Sequence, residues 1–316
     1  MIDFVGKRKY FFGLSIVLIL VGIVFLLVNG LELDIQFQGG TLLKIEMPDD
    51  NFDADEIATT VGSELNKAVT AQKMKTFNPE NAEEEIDMLM LKVSSKDTLS
   101  DDEIKQVITV LREKYNVKPD AQNQVQSVQP FIGREMLKDG LLAALIASVA
   151  IVLYVWWRFK IISGLSAAVM ALVALFHDVV IVFLLYAVFR IPVNESFIAA
   201  MLTILGYSIN DTIIVYDRIR ENKRLYRKTS LAELVNMSTM QTLSRTINTT
   251  ITTLIAVLSV FIFASFNNIQ SLKDFTLPLI IGLLSGSYSS IFIASPLWEM
   301  WQVHRAKKPV SGKTAK

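Results

Sequence analysis

Six apolar stretches dominate this sequence, near residues 10–29, 138–157, 161–189, 196–216, 246–266 and 275–298. About 20 consecutive apolar residues cross the hydrocarbon core of a bilayer as a helix. Hydrocarbon offers no partner to backbone N–H and C=O groups, so only helices and closed barrels span it. The expected fold is therefore membrane α-helical with six transmembrane helices. The chain is 52% hydrophobic with mean hydropathy +0.41, too apolar for an ordinary soluble domain of 316 residues. Lys7, Arg8 and Lys9 give the first stretch the outline of a signal peptide. Its apolar core, Phe11 to Val28, outruns the usual h-region of about 7–15 residues. No small-x-small cleavage site follows at Asn29, Gly30 and Leu31, so it reads as an uncleaved first span.

Charge sets the orientation, because Lys and Arg accumulate in cytoplasmic loops. Besides Lys7–Lys9, basic residues follow span two (Arg158, Lys160), span four (Arg218, Arg220, Lys223, Arg224, Arg227, Lys228) and span six (Arg305, Lys307, Lys308, Lys313, Lys316). With six spans these segments share one side; the opposite short loops carry only Arg190 and Lys273. The expected organisation is a cytoplasmic N-terminus and first span over 1–29, an extracytoplasmic domain over 30–137, a bundle of spans two to six over 138–303, and a cytoplasmic basic tail over 304–316. The net charge of zero hides a split: residues 30–136 carry 21 acidic and 11 basic side chains. The basic excess lies in the cytoplasmic loops, where membrane lipid accounts for it without nucleic acid. The chain has no cysteine, which excludes disulfides and thiol chemistry. Its two histidines, His177 and His304, cannot make a His-rich metal site, and no cofactor is expected.

Segment 31–131 alternates between strand and helix patterns. Leu33 to Met47 reads as a strand with Gly39-Gly40 as a bend or bulge inside it. Asp53 to Val69 has helical spacing. Ala71 to Phe77 and Ile86 to Val93 read as strands. Ser100 with Glu103 is a capping-box signal for a helix bearing Ile104, Val107, Ile108, Leu111 and Tyr115, and Ala121 to Val128 closes as a strand. The order βαββαβ predicts an inserted α+β, ferredoxin-like domain. Its acidic residues read as a solvated surface, without a catalytic constellation.

The chemistry concentrates in the spans. Asp211 lies within an apolar run, and an ionised carboxylate there costs about 2.5–3.5 kcal/mol. Ile204, Tyr207, Ser208 and Val215 share its helix face, with Asn210 beside it. Against a role in moving an ion stands a structural hydrogen bond or snorkelling toward the inner end, about 8 Å away. Arg245 opens the fifth apolar stretch, and Asn248, Thr249, Thr252, Ala256 and Ser259 continue its stripe. Such a polar stripe is expected to face the bundle or a watery cavity. Spans four and five are antiparallel neighbours, which places Arg245 and Asp211 at similar depth; simple cationic anchoring of Arg245 is the alternative. His177-Asp178, placed nearer the outer leaflet, is either an outer relay step or a packed structural pair. Gly282-x-x-x-Gly286 is a small-residue helix-packing face, and Pro278 and Pro296 are expected to bend or end the last helix. Together the groups suggest a machine that moves an ion, with H⁺ favoured.

Five segments resemble the SecF family of protein-export membrane subunits: LDIQFQGGT over Leu33–Thr41, VQPFIGRE over Val128–Glu135, His177-Asp178-Val179, LTILGYSINDTIIVYDRIREN over Leu202–Asn222, and SRTINTTITT over Ser244–Thr253. The resemblance covers roughly residues 1–305. It differs at Gln36 and Gln38, which flank the Gly-Gly motif, and at Gln129. It implies a multi-pass subunit of the bacterial plasma membrane that partners SecD, assists the SecYEG channel with YajC often associated, and uses the proton motive force to draw preproteins outward. It further implies that Asp211 is the protonated carboxylate and Arg245 its cationic partner, and it leaves Na⁺ coupling open. Two other classes fit the composition. One is half of a small-molecule efflux transporter of the RND type, which needs a larger outside region. The other is a passive translocon assembly scaffold, for which Asp211 and Arg245 are dispensable.

Overall fold

The computed structural model describes residues 3–49, 51–77, 85–94, 98–119, 123–128, 130–267 and 269–307. Ala121 and Gln122 of the last expected strand and 308–316 of the basic tail lie outside these. The architecture is mostly helical. Among the described residues, six helices are long and apolar enough to cross a membrane: Arg8–Asn29, Gly133–Arg158, Gly164–Phe189, Glu195–Leu225, Leu231–Phe266 and Gln270–Ala306.

The chain enters through α1 (Arg8–Asn29) and reaches a four-residue helical turn, α2 (Ile35–Gln38). The expected strand from Leu33 therefore does not form over its first half. Asp34 caps the turn by accepting from the Gln36 N–H, which satisfies a donor that a helix start leaves orphaned. Gly39-Gly40 is not a bulge inside a strand but the joint between α2 and β1 (Gly40–Glu46), with φ of 83° and 140°. A side chain is strained in that region.

The α+β portion continues with α3 (Ala54–Leu65), β2 (Ala68–Phe77), β3 (Glu85–Ser94), α4 (Asp101–Tyr115) and β4 (Asn123–Val128). The strands lie in the order β2-β3-β1-β4, and each neighbouring pair is antiparallel. Leu43, Ile45, Leu89, Leu91 and Val93 point to one face and pack with Ile57, Val61, Val107 and Leu111 from the two helices, as the period-2 and period-3.6 patterns require. The capping box forms in full: Glu103 N–H donates to Ser100 Oγ, and Ser100 N–H donates to the Glu103 carboxylate.

This unit is tied to the helices at its base. Asp34 N–H donates to the Val193 carbonyl and Val193 N–H to the Glu32 carbonyl, both at 2.9 Å. Lys92 on β3 pairs with Asp34 at 2.9 Å.

The remaining helices are α5 (Pro130–Arg158), α6 (Gly164–Phe189), α7 (Glu195–Leu225), α8 (Leu231–Phe266), α9 (Gln270–Ser289) and α10 (Ser295–Lys307). α6, α7 and the last span form the centre, with half or more of their apolar windows buried; α1, α5 and α8 lie outside with most of their surface exposed. Two departures from expectation concern helix ends. α8 starts at Leu231, capped by Ser230, so Arg245 sits fourteen residues inside its helix and does not open it. The first four turns are polar enough to hide from an apolar-length criterion. Pro278 lies inside α9 without ending it. A π-helical turn, Ser290–Ala294, separates α9 from α10 just before Pro296, whose missing N–H leaves a carbonyl of that turn without its α-helical donor.

Candidate functional site

α7 and α9 pack closely because α9 presents glycine at the contact. A Cβ on Gly282 would lie 2.2 Å from Ile204 Cδ1, and one on Gly286 would lie 2.9 Å from Ser208 Cβ. Close approach brings polar side chains into range across the helices. Ser208 Oγ donates to Asp178 Oδ2 at 2.7 Å. From α9, Ser289 Oγ donates to the same oxygen and Ser285 Oγ to Oδ1, each at 2.7 Å. His177 Nδ1 lies 3.2 Å from Oδ1, and its Nε2 lies 3.2 Å from Ser15 Oγ on α1. Asp178, Ser208 and Ser289 are fully buried, and His177 is 9% exposed. His177-Asp178 stands midway along α6, not toward its outer end as the sequence suggested. Counting from Ile161 misplaces it, because α6 begins only at Gly164 after a 3-10 turn, Lys160–Ile162.

One turn from Ser208, Asp211 is fully buried, and neither of its carboxylate oxygens has a hydrogen-bond partner. A buried, unpartnered carboxylate is costly and marks a place where the protein keeps an unmet demand for a cation or a donor. The field of Arg245 reaches it without a hydrogen bond between them. Tyr207 OH donates to Thr253 Oγ1 at 3.4 Å and sets the antiparallel register of α7 and α8. Asp211 is then level with Thr249, and Arg245 lies about one turn, roughly 6 Å, nearer the α7–α8 connection.

The expected stripe on α8 proves to be an outward-facing one. Arg245, Asn248, Thr252, Ala256 and Ser259 are exposed and Thr249 is half-buried, rather than lining the interior of this chain. The hydroxyls of Thr249, Thr252 and Ser259 donate to their own helix's carbonyls. Thr239, Thr242, Thr246 and Thr250 form the buried face instead, and the hydroxyls of Thr239, Thr246 and Thr250 are unpartnered. On α7, Asn210 is exposed beside buried Asp211. Sequence reading missed the threonine row, the serine donors to Asp178, and the Thr212–Ser290 hydroxyl pair at 2.9 Å. A repeat of Thr at three- and four-residue spacing was the available signal for the first. Near the end of α7, Asp217 pairs with Arg158 at 3.2 Å and Arg220 at 2.5 Å. Among the described residues no group of three His, Cys, Asp or Glu side chains could hold a metal.

A six-helix membrane protein with a small sheet unit and buried carboxylates in its central helices is the class these features define. Residues 107–304 match the family model for protein export membrane protein SecD/SecF, C-terminal. The chain is 34% identical over 310 residues to the protein translocase subunit SecDF of Bacillus subtilis, covering 97% of this chain but 39% of that protein. It is 33% identical over 307 residues to the SecF subunit of Anaerolinea thermophila, covering 96% of this chain and 94% of that one. The crystal structure of the translocon-associated membrane protein SecDF from Thermus superposes with a TM-score of 0.78 at 30% identity, over 96% of this chain and 39% of that chain. The chain belongs to the SecD/SecF family and is of the SecF type.

Proposed function

We propose that this chain is the SecF-type subunit of a SecDF complex, which uses the proton motive force to promote late steps of preprotein translocation through SecYEG in the bacterial plasma membrane. The observation that carries the reading is Asp211: a fully buried carboxylate in a central span with no hydrogen-bond partner and a cation, Arg245, within electrostatic reach. Protonation removes the charge that burial penalises and releases the hold on Arg245, so α7 and α8 shift. α1 and α5 run into the sheet unit and carry the shift to it. In this reading the unit is a ferredoxin-like domain inserted over residues 30–137 on the extracytoplasmic side, both termini are cytoplasmic, and SecD covers the polar outer faces of α7 and α8. The strand order β2-β3-β1-β4 and the distribution of basic loops support these placements. Each proton is driven by about 2.3 kcal/mol per 100 mV plus about 1.4 kcal/mol per pH unit. That suffices to bias a two-state domain whose states differ in affinity for the emerging chain.

The test is preprotein export into inverted vesicles under controlled ΔpH and Δψ, wild type against Asp211→Asn at matched expression. Loss of the pmf-dependent late step alone, with ATP-driven export retained, is the expected result. Full pmf stimulation in Asp211→Asn would leave Asp211 a structural residue and favour a passive scaffold.

A further inference from the structure

We propose that residues 3–7, the segment before α1, form a strap that ties α1 to the start of α8, so that the two helices move together.

The strap answers a chemical demand on α8. Asn236 lies in the second turn of that helix, 7% exposed, beside buried Leu234 and Val235. A buried amide carries donors and an acceptor that must find partners. The strap meets both ends of it. Val5 N–H donates to Asn236 Oδ1 at 3.0 Å, and Asn236 Nδ2 donates to Asp3 Oδ1 at 2.7 Å.

The strap is shaped for this contact by its own turn. Gly6 N–H donates to Asp3 Oδ1 at 2.7 Å, and Lys7 N–H donates to the Asp3 carbonyl at 3.2 Å. The Gly6 N–H and, second, the Asn236 amide hold the Asp3 carboxyl below the ordinary aspartate range. A segment of this kind is ordered only where it is tied down, and apolar anchors add to the amide: Phe4 is 1% exposed and Val5 5%.

The same segment runs without a break into α1. Phe4 sets its ring 5.8 Å from Phe292 in the π-helical turn, and Phe11 of α1 sets its own 4.3 Å from that ring. Arg8 pairs with Glu299 on α10 at 2.8 Å. Beyond this end, α1 packs chiefly on α6, and α8 on α7 and α9. The strap therefore joins two helices whose lengths lie against different neighbours. α8 carries Arg245 and α1 leads into the sheet unit, so a displacement of α8 at its start is passed to α1 through the strap backbone. That use in transport rests on the proposed function; the link itself does not.

The chain has no cysteine, so introduced thiols report cleanly. In lipid nanodiscs, Val5→Cys is expected to react slowly with a membrane-impermeant maleimide, because that side chain is covered. Spin labels at Tyr10→Cys on α1 and Met240→Cys on α8, both exposed, are expected to give one narrow distance distribution. Asn236→Asp sets two carboxylates against each other and removes the donor to Asp3. It is expected to speed Val5→Cys labelling about tenfold, equivalent to about 1.4 kcal/mol of local opening, and to broaden the distance distribution. Adding Asp3→Asn restores one amide and one carboxylate in exchanged places, with a donor for each acceptor. Both readouts are then expected to return to those of the parent, which a general weakening of the fold would not allow. Fast labelling of Val5→Cys in the parent overturns the proposal, as does slow labelling that Asn236→Asp leaves unchanged. A distance distribution that stays narrow after the strap is released overturns it too, and so does failure of the exchanged pair to recover. None of these readouts depends on export, so they separate this link from the role of Asp211.

Discussion

At the scale of single residues, the buried carboxylates differ in kind. Asp178 is saturated by donors from three helices, whereas Asp211 has none. Full solvation fixes the first in one arrangement; its absence leaves the second free to answer a change in its surroundings. The packing that makes this possible is itself testable. Gly282 lies directly against Ile204, so Gly282→Ala forces the Ile204 side chain or the helix to move, at about 1–3 kcal/mol of overpacking. Thermal unfolding in detergent is expected to show a lower Tm for Gly282→Ala and partial recovery in the double variant with Ile204→Val. Equal melting of the single variant and the wild type would mean that α7 and α9 are less tightly apposed. Gly282 and Gly286 were legible in the sequence because small-residue spacing is a local pattern. The Asp178 cage was not. Its direct partners are His177, Ser208, Ser285 and Ser289, and no local pattern joins positions that far apart.

At the scale of elements, local chemistry decides where helices begin, and apolar length does not. Ser100 and Glu103 announce α4 through a four-residue motif, and the structure forms it as read. α8 shows the opposite case: its polar opening from Leu231 falls below any hydrophobicity threshold, and the polar stripe chosen from that late start faces outward. α2 escaped because Asp34 caps a turn within a segment whose residues otherwise favour a strand. The α4 end also makes a pH prediction. Glu103 receives a hydrogen bond from Lys67 and, second, the Ser100 N–H, and these hold its carboxyl below the ordinary glutamate range. A group whose folded pKa is depressed stabilises the fold above its unfolded value, about 4.3, and that stabilisation is lost as pH falls through the lower folded value. Pepsin cleavage in the sheet unit is expected to rise as pH falls below about 4.3 in the wild type. In Glu103→Gln, where no such charge exists to be lost, cleavage is expected to depend less on pH over that range. Ser100→Ala is expected to cost about 1 kcal/mol, seen as faster amide exchange in the first turn of α4.

At the scale of the whole molecule, the outer faces of the helices are chemically unequal. α1 exposes Leu14, Ile16, Val17, Leu18 and Leu20, side chains at home against lipid. α7 and α8 expose Asn210, Arg245 and Asn248. Thr249, Thr252 and Ser259 on the outer side of α8 satisfy their hydroxyls on their own helix, so they are cheap to place against lipid; amide and guanidinium heads are not. The α7–α8 face therefore calls for a protein cover, and under the proposed function that cover is a SecD chain. The absence of cysteine makes the test clean. Asn248→Cys and, as a control on the apolar face, Leu18→Cys can be paired with single cysteines placed through the spans of a co-expressed SecD chain. Oxidation is expected to yield a crosslinked species of summed mass for Asn248→Cys and none for Leu18→Cys. Crosslinking from Leu18→Cys alone would place the partner on the α1 side, and the polar heads of α7 and α8 would then face a water-filled path rather than SecD.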